Sequence, residues 1–115
     1  MRNGIYRMRY QTTTLCTTAV VVLSDGILSG CDRFHFMFGD YHHHGNTLTG
    51  TVTFKRHTEH PGHDIPDQFK LVFDGIASDN FGQLDVHCPD VPQICGCACF
   101  TWMAGIAPAS PEAPA

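Results

Sequence analysis

Charged side chains are scarce in this chain of 115 residues, where they make up 16% of the sequence. Seven Lys and Arg stand against eleven Asp and Glu, and no basic run offers a track for phosphates, so direct nucleic-acid binding is not expected. No apolar run approaches the roughly 20 residues that a membrane-spanning helix needs. These absences favour one globular domain that contacts neither DNA nor the membrane.

Motifs typical of catalysis are absent as well. No serine stands in a G-x-S-x-G turn, and no glycine-rich loop is suited to cradle a phosphate. Six cysteines are present, but no two of them form the C-x-x-C pair typical of zinc and redox sites. We therefore expect a protein that is not an enzyme and carries no cofactor.

Alternation of polar and apolar residues is the main rhythm of the sequence. Tyr6, Met8 and Tyr10 fall on one face of an extended chain, as a half-buried strand requires. Residues 47–55 alternate threonines with mostly apolar residues, so that one face of this strand is polar and the other apolar. No stretch of useful length has the period of an amphipathic helix. The sequence therefore predicts an all-β fold.

Turn signals divide this alternation into about eight short antiparallel strands. Asp25-Gly26 predicts a tight hairpin, because glycine adopts positive φ without strain. The polar segment 42–46 predicts another turn, and residues 57–66, with two prolines, predict a longer connection. Eight strands suffice to close a small β-barrel, which we expect over residues 1–103. Residues 104–115, rich in Ala and Pro, are expected to form a flexible tail.

Aromatic and large apolar residues supply the expected interior. The strand predicted over residues 34–41 places Phe34, Phe36 and Phe38 together on one face, which we expect to be buried. A second set forms either packed core or the lining of a cavity for a lipophilic ligand. An open, empty cavity would favour a small-ligand carrier, whereas an interior closed by aromatic rings would favour a protein-binding module. The core or cavity candidates are Tyr6, Met8, Tyr10, Phe54, Phe69, Phe73 and Trp102.

Cysteines and histidines suggest a metal-binding protein as a further hypothesis. Cys95, Cys97 and Cys99 alternate, so in a regular strand their sulfurs lie about 6.6 Å apart along the chain, too far for one zinc ion unless a bulge forms. We expect them to be small thiols packed on the core side of the strand, with metal and redox roles as alternatives. The weak metal candidates are His57, His60 and His63, which segment 42–44 could join across the sheet.

A family resemblance is carried by several short stretches. They are Asn3-Gly4-Ile5-Tyr6, the Asp25-Gly26 hairpin followed by Gly30 and Asp32, Gly39-Asp40-Tyr41, and Gly45-Asn46-Thr47-Leu48 leading into Gly50-Thr51-Val52. Their order and spacing over residues 3 to 87 resemble the GrlR family, small bacterial negative regulators of type III secretion gene expression. The resemblance implies a lipocalin-like barrel that forms a homodimer, has no enzymatic activity and holds a transcriptional activator away from DNA.

The resemblance also indicates where a protein partner would bind. In the characterised branch of the family an acidic loop is thought to contact the partner, and the matching loop here is Tyr41, His42, His43, His44, Gly45 and Asn46. This loop has no carboxylate, so the fold can carry over while the particular partner differs. We expect this hairpin tip and the threonine-rich face of the next strand to bind the partner. Pairing of edge strands is the expected dimer contact.

Export is not expected. Three arginines precede the apolar stretch 15–23, and residues 28–31 read Leu-Ser-Gly-Cys, similar to a lipoprotein cleavage box. A signal segment, however, needs an uninterrupted apolar run, and Ser24-Asp25-Gly26 interrupts this one. We therefore expect a cytoplasmic protein.

Overall fold

The computed structural model describes residues 1–13, 16–59 and 66–106. These residues form a closed barrel in which each strand pairs antiparallel with the next along the chain, and the last pairs with the first. The predicted all-β fold with about eight strands is confirmed, and the architecture fits a small lipocalin-like barrel. No helix long and apolar enough to cross a membrane occurs in the described residues. The strands are β1 (Gly4–Thr12), β2 (Cys16–Ser24), β3 (Ile27–Cys31), β4 (His35–His44), β5 (Thr47–Arg56), β6 (Gln68–Ala77), β7 (Phe81–His87) and β8 (Cys95–Ala104).

Two tight turns set the register of β2 with β3 and of β4 with β5. Asp25 and Gly26 join β2 to β3 with φ angles of 51° and 84°, the left-handed conformation that a two-residue hairpin requires. Gly45 has φ 59° and, with Asn46, joins β4 to β5. The predicted loop at 42–46 is therefore mostly strand, because pairing continues as far as His44 opposite Thr47.

The barrel interior is packed with large side chains. Tyr6, Phe54 and Phe100 are fully buried, and Phe54 stacks on Phe69 at a ring-centroid distance of 4.9 Å. The inward positions of β1, β5 and β6 are the ones that the alternation predicts. Burial of these apolar side chains provides the main driving force for closing the sheet.

Closure limits the expected pairing of edge strands between two copies. Each strand has a hydrogen-bonded neighbour on both sides, β1 and β8 included, so the described residues contain no whole edge strand. Some strand ends extend past a neighbour, such as residues 16–19 of β2, which have no register partner on β3. A second copy could pair only with such ends, or contact the faces, loops or termini of the barrel.

Two strands turn the face opposite to the predicted one into the barrel. In β4 the inward residues include His35, Met37 and Tyr41, so that Phe36 and Phe38 are exposed and not part of the core. In β8 the inward residues include Ala98 and Phe100. Its three cysteines lie outside, which corrects the prediction that they pack on the core side.

The structure describes only the beginning of the predicted tail, residues 104–106. Strand β8 continues through Ala104, and residues 105–106 follow it without regular structure. The remaining part of the predicted tail, residues 107–115, lies outside the described residues.

Candidate functional site

The outer surface of β2, β3 and β4 carries a cluster of exposed apolar side chains. Phe36 and Phe38 are 42% and 44% exposed, and their rings stack at a centroid distance of 6.3 Å. Val20, 56% exposed, lies in the same row as Phe36, because both are register partners of Cys31. Ile27, 58% exposed, begins β3 beside them. We call Val20, Ile27, Phe36 and Phe38 the outer apolar face.

Cations flank the outer apolar face on both sides. Arg7 of β1 is the register partner of Val20, and Lys55 of β5 is the register partner of Phe36. Lys70, exposed on β6, lies one strand farther along the same side. The two sides of the face along β1 and β5 are thus positive, although the whole chain has a formal charge of −4.

The orientation of β4 is set by a turn just before it. The Asp32 carboxylate accepts hydrogen bonds from the backbone amides of Phe34 and His35 at 2.8 and 2.6 Å, and the Asp32 amide donates to the His35 carbonyl at 2.8 Å. This turn points the His35 side chain into the barrel. Because side chains alternate along a strand, Phe36 and Phe38 must then point outward.

A buried polar cluster holds His35 in this position. The Tyr10 hydroxyl donates a hydrogen bond to the Asp32 carboxylate, and His35 Nδ1 lies 3.4 Å from Asp32 Oδ2. The edge of the His35 ring packs on Phe54 and Phe69, at centroid distances of 5.8 and 5.6 Å. Since Asp32 is 9% exposed and His35 is 0% exposed, the cluster closes one end of the barrel against water. The sequence analysis did not identify this cluster.

Burial and hydrogen bonding act on the two acids of the cluster in different ways. Burial raises the pKa of the Tyr10 hydroxyl far above its ordinary value, and the neighbouring Asp32 carboxylate adds to the effect. Burial also tends to raise the pKa of Asp32. Hydrogen bonds from His35, Tyr10 and two backbone amides outweigh burial, however, and lower that pKa to about 2. Asp32 is therefore ionised and Tyr10 is neutral over the ordinary pH range.

Asp32 is expected to make the stability of the barrel depend on pH in acid. Because its pKa in the folded protein is about 2 against an ordinary 3.8, its ionised form contributes stability that is lost as the pH falls from 3.8 through 2. This shift corresponds to about 2 kcal/mol. Urea unfolding at about pH 5 and about pH 2 should show the wild type losing about 2 kcal/mol more than Asp32→Asn. Equal losses in the two proteins would contradict this assignment.

The predicted partner-binding tip is exposed only in part. His42 and His44 point outward with Gly45 and Asn46, whereas Tyr41 is buried in the core and cannot contact a partner directly. His43 points inward and forms a hydrogen bond through Nδ1 with the Met1 amine. The exposed part of the tip therefore consists mainly of the His42 and His44 imidazoles and the Gly45-Asn46 turn. These continue the outer face of β4 beyond Phe38 and Asp40.

The candidate cavity residues lie in the core. Tyr6, Met8, Tyr10, Phe54, Phe69 and Phe73 are all buried, and Trp102 is half-buried against them. Trp102 covers the opposite end of the barrel, where the Arg2 guanidinium lies 3.9 Å from the ring centroid. The aromatic side chains thus pack against one another, with T-shaped contacts at Tyr6–Phe100 and Phe73–Phe100.

Comparison with known proteins adds no family assignment. No protein-family model matches the chain, and no relative was found among curated proteins. The resemblance to the GrlR family therefore rests on the short stretches that carry it.

The three cysteines of β8 line the outer wall of the barrel. Cys95 and Cys97 are exposed, Cys99 is half-buried, and all three are free thiols. The bulge that a zinc site would need at Gly96 is absent, since this part of β8 pairs in continuous register with both β1 and β7. The thiols of this strand therefore stand in a row and do not converge on one point.

Among the described residues, His57 and segment 42–44 do not come together across the sheet. The His57 amide donates to the Phe34 carbonyl, which places His57 beside the start of β4, whereas residues 42–44 lie at the other end of that strand. His60 and His63 lie outside the described residues. Among the residues that the structure describes, no three His, Cys, Asp or Glu side chains are grouped to hold a metal ion.

Proposed function

We propose that this chain is a regulatory binding protein without enzymatic activity, which holds a protein partner on its outer apolar face. One observation carries the proposal: two stacked phenylalanines and two branched aliphatic side chains stand exposed together on rigid strands. Aromatic side chains are enriched in protein interfaces, and clustered exposed apolar groups mark sites of association. The interior, occupied by aromatic rings, favours this proposal over a small-ligand carrier.

Charge indicates the chemistry of the partner segment. Arg7 and Lys55 flank the outer apolar face directly, and Lys70 lies beyond Lys55. A segment with apolar anchors and acidic side chains at its margins would complement both features. Asp40, the register partner of Ile27, and Asp25, in the turn before Ile27, place two carboxylates at the hairpin end of the face. The acidic margin of the partner is therefore expected at the opposite end, beside Lys55.

The resemblance to the GrlR family supports a transcriptional activator as the partner. In this proposal the chain acts in the cytoplasm as a negative regulator, related to type III secretion, and masks the activator so that it cannot bind DNA. The homodimer belongs to the same proposal. Contact through faces or termini takes the place of pairing between whole edge strands, which the closed barrel does not offer.

Replacement of both exposed phenylalanines should abolish capture of the partner. Tagged wild-type chain purified from the source cell is expected to recover a transcriptional activator, and Phe36→Ser/Phe38→Ser is expected to recover at least about tenfold less of it. Added wild-type chain should also reduce binding of the recovered activator to its DNA, and the double variant should not. Gel-shift titration measures this effect.

A matched control variant tests whether the loss of recovery is specific to the outer apolar face and not an effect of removing any exposed apolar side chain. Ile76 on β6 is 64% exposed and lies outside the outer apolar face, so Ile76→Ser should leave recovery unchanged. A third variant, His42→Ser/His44→Ser, tests the hairpin tip. Recovery of no activator, or loss of recovery only with the histidine variant, would refute the assignment to the outer apolar face. Thermal unfolding of all three variants verifies that the barrel is intact.

A further inference from the structure

A groove of about 470 Å³ crosses the outside of the barrel where β7, β8, β1 and β2 lie side by side. It adjoins the outer apolar face, because Thr18 of the groove and Val20 of the face are successive outward residues of β2, and three free thiols line it. Its volume falls within the range of sites that accept small molecules. The thiols of Cys16, Cys97 and Cys99 line the groove together with the side chains of Arg9, Gln11 and Gln83.

The thiols of the groove are placed too far apart to pair with one another. Gln11 is the register partner of both Cys16 and Cys97, so one strand separates those two cysteines. Their Cα atoms are therefore about 10 Å apart, twice the strand spacing. Cys97 and Cys99 are about 6.6 Å apart along β8 with parallel side chains, whereas a disulfide brings Cβ atoms to about 4 Å. Each thiol is thus available to a sulfur from outside the chain.

The neighbours of Cys97 and Cys99 on β8 differ in charge. Cys99 has Arg9 as its register partner on β1 and Gln83 on β7, so its row combines a cation with an amide. Cys97 has Asp85 beside it on β7. A carboxylate next to Cys97 repels an anionic reagent, whereas the Arg9 guanidinium can bind a carboxylate through paired hydrogen bonds. Within the described residues Arg9 forms no ion pair that would compete.

We propose that this groove is an S-thiolation site, in which Cys99 forms a mixed disulfide with an anionic low-molecular-weight thiol of the glutathione type. Arg9 binds a carboxylate of the incoming disulfide, and the amides of Gln11 and Gln83 supply hydrogen-bonding groups to its peptide portion. The site does not depend on the partner-binding function, because none of its reacting or binding residues belongs to the outer apolar face, although the two surfaces meet on β1 and β2.

The reaction is a thiol–disulfide exchange with a low-molecular-weight disulfide as the oxidant. The Cys99 thiolate attacks one sulfur of glutathione disulfide, whose S–S bond breaks as the new bond to Cys99 Sγ forms. The other sulfur leaves as a thiolate and takes up the proton released by the Cys99 thiol. One cysteine is oxidised to a mixed disulfide, and one equivalent of glutathione is released in reduced form.

The experiment measures the modification rate of each cysteine in the reduced full-length chain. Glutathione disulfide is added, and intact mass and peptide mapping follow each site with time. Cys99 is expected to react about tenfold faster than Cys97, which is more exposed on the same strand but lies beside Asp85, because the Arg9 guanidinium concentrates the anionic reagent. Cys88, which is buried, should remain unmodified while the barrel is folded. The preference for Cys99 should also shrink as salt is raised.

Matched arginine variants test the cause of this preference. Arg9→Gln should remove most of the difference in rate between Cys99 and Cys97, whereas Arg33→Gln, which removes the same charge from the loop before β4, should leave it unchanged. With 2-hydroxyethyl disulfide, an uncharged reagent, Arg9→Gln should have no effect. Equal rates at Cys99 and Cys97 in the wild type would overturn the proposal. Equal effects of the two arginine variants would overturn it as well.

Discussion

Asp32→Ala is expected to lower the free energy of unfolding by about 3 to 5 kcal/mol. The carboxylate accepts hydrogen bonds from the Tyr10 hydroxyl and from the amides of Phe34 and His35, in a site that solvent hardly reaches. Its removal leaves these donors unsatisfied, and each buried donor without a partner costs about 1 to 3 kcal/mol. Urea unfolding followed by the fluorescence of Trp102, the single tryptophan, measures the loss.

Asp40→Ala is the matched control for this substitution. Asp40 is exposed and accepts one hydrogen bond, from Thr51 at 3.2 Å, so its removal should cost less than about 1 kcal/mol. If Asp32→Ala fails to fold, Tyr10→Phe provides a milder test, because it removes one donor and leaves the backbone hydrogen bonds intact. A loss at Asp32 no larger than the loss at Asp40 would mean that the cluster does not fix this end of the barrel.

Phe54→Ala is expected to cost about 3 to 5 kcal/mol, while Phe36→Ala should cost less than about 1 kcal/mol. Phe54 is fully buried and contacts the rings of Phe69, Tyr10 and His35, so truncation leaves a cavity among them. Phe36 is 42% exposed and loses little buried area when it is shortened. The same chemical change in two neighbouring strands thus reports which face of each strand is inside.

Urea unfolding of the two variants under identical conditions tests this contrast. If Phe54→Ala is too unstable to purify, Phe54→Leu keeps most of the volume and should still be measurably destabilised. Equal losses at Phe36 and Phe54 would place both rings in the core and would refute the outer apolar face. A near-neutral Phe54 variant would contradict the packed interior.

Strand positions and turns could be predicted because their causes are local. Residues 47–55 alternate so regularly that a strand with a threonine face was expected, and β5 confirms it. Asp25 and Gly26 adopt the positive φ angles that a two-residue hairpin needs, which residue type alone indicates. The approximate number of strands followed from counting the alternating segments that lie between turns.

The orientation of β4 could not be predicted in this way, because both of its faces contain bulky residues. Hydrophobicity favoured Phe36 and Phe38 over His35 for the interior. The decisive contacts come from Asp32, which hydrogen-bonds to His35, and from Tyr10 on another strand. A buried imidazole is acceptable only once its polar partners are in place. Asp32 three residues before His35 was the available signal, since this spacing is typical of a side chain that caps a turn.

The orientation of β8 follows from the burial of its aromatic residue Phe100. Phe100 is 1% exposed, and its ring contacts those of Tyr6 and Phe73 at centroid distances of 6.4 and 5.9 Å. Because side chains alternate along a strand, burial of Phe100 turns Ala98 inward and the cysteines outward. This choice could not be predicted from β8 itself, because the partners of Phe100 lie far away along the chain.

Local alternation and turn chemistry alone determine that this chain forms about eight antiparallel strands and which residues share each face. Which of two apolar faces turns inward was decided only by the closed barrel, because burial depends on partners that lie far away along the chain. The same closure placed Phe36, Phe38 and the β8 thiols at the surface. The candidate binding face and the candidate thiol site are therefore consequences of tertiary packing.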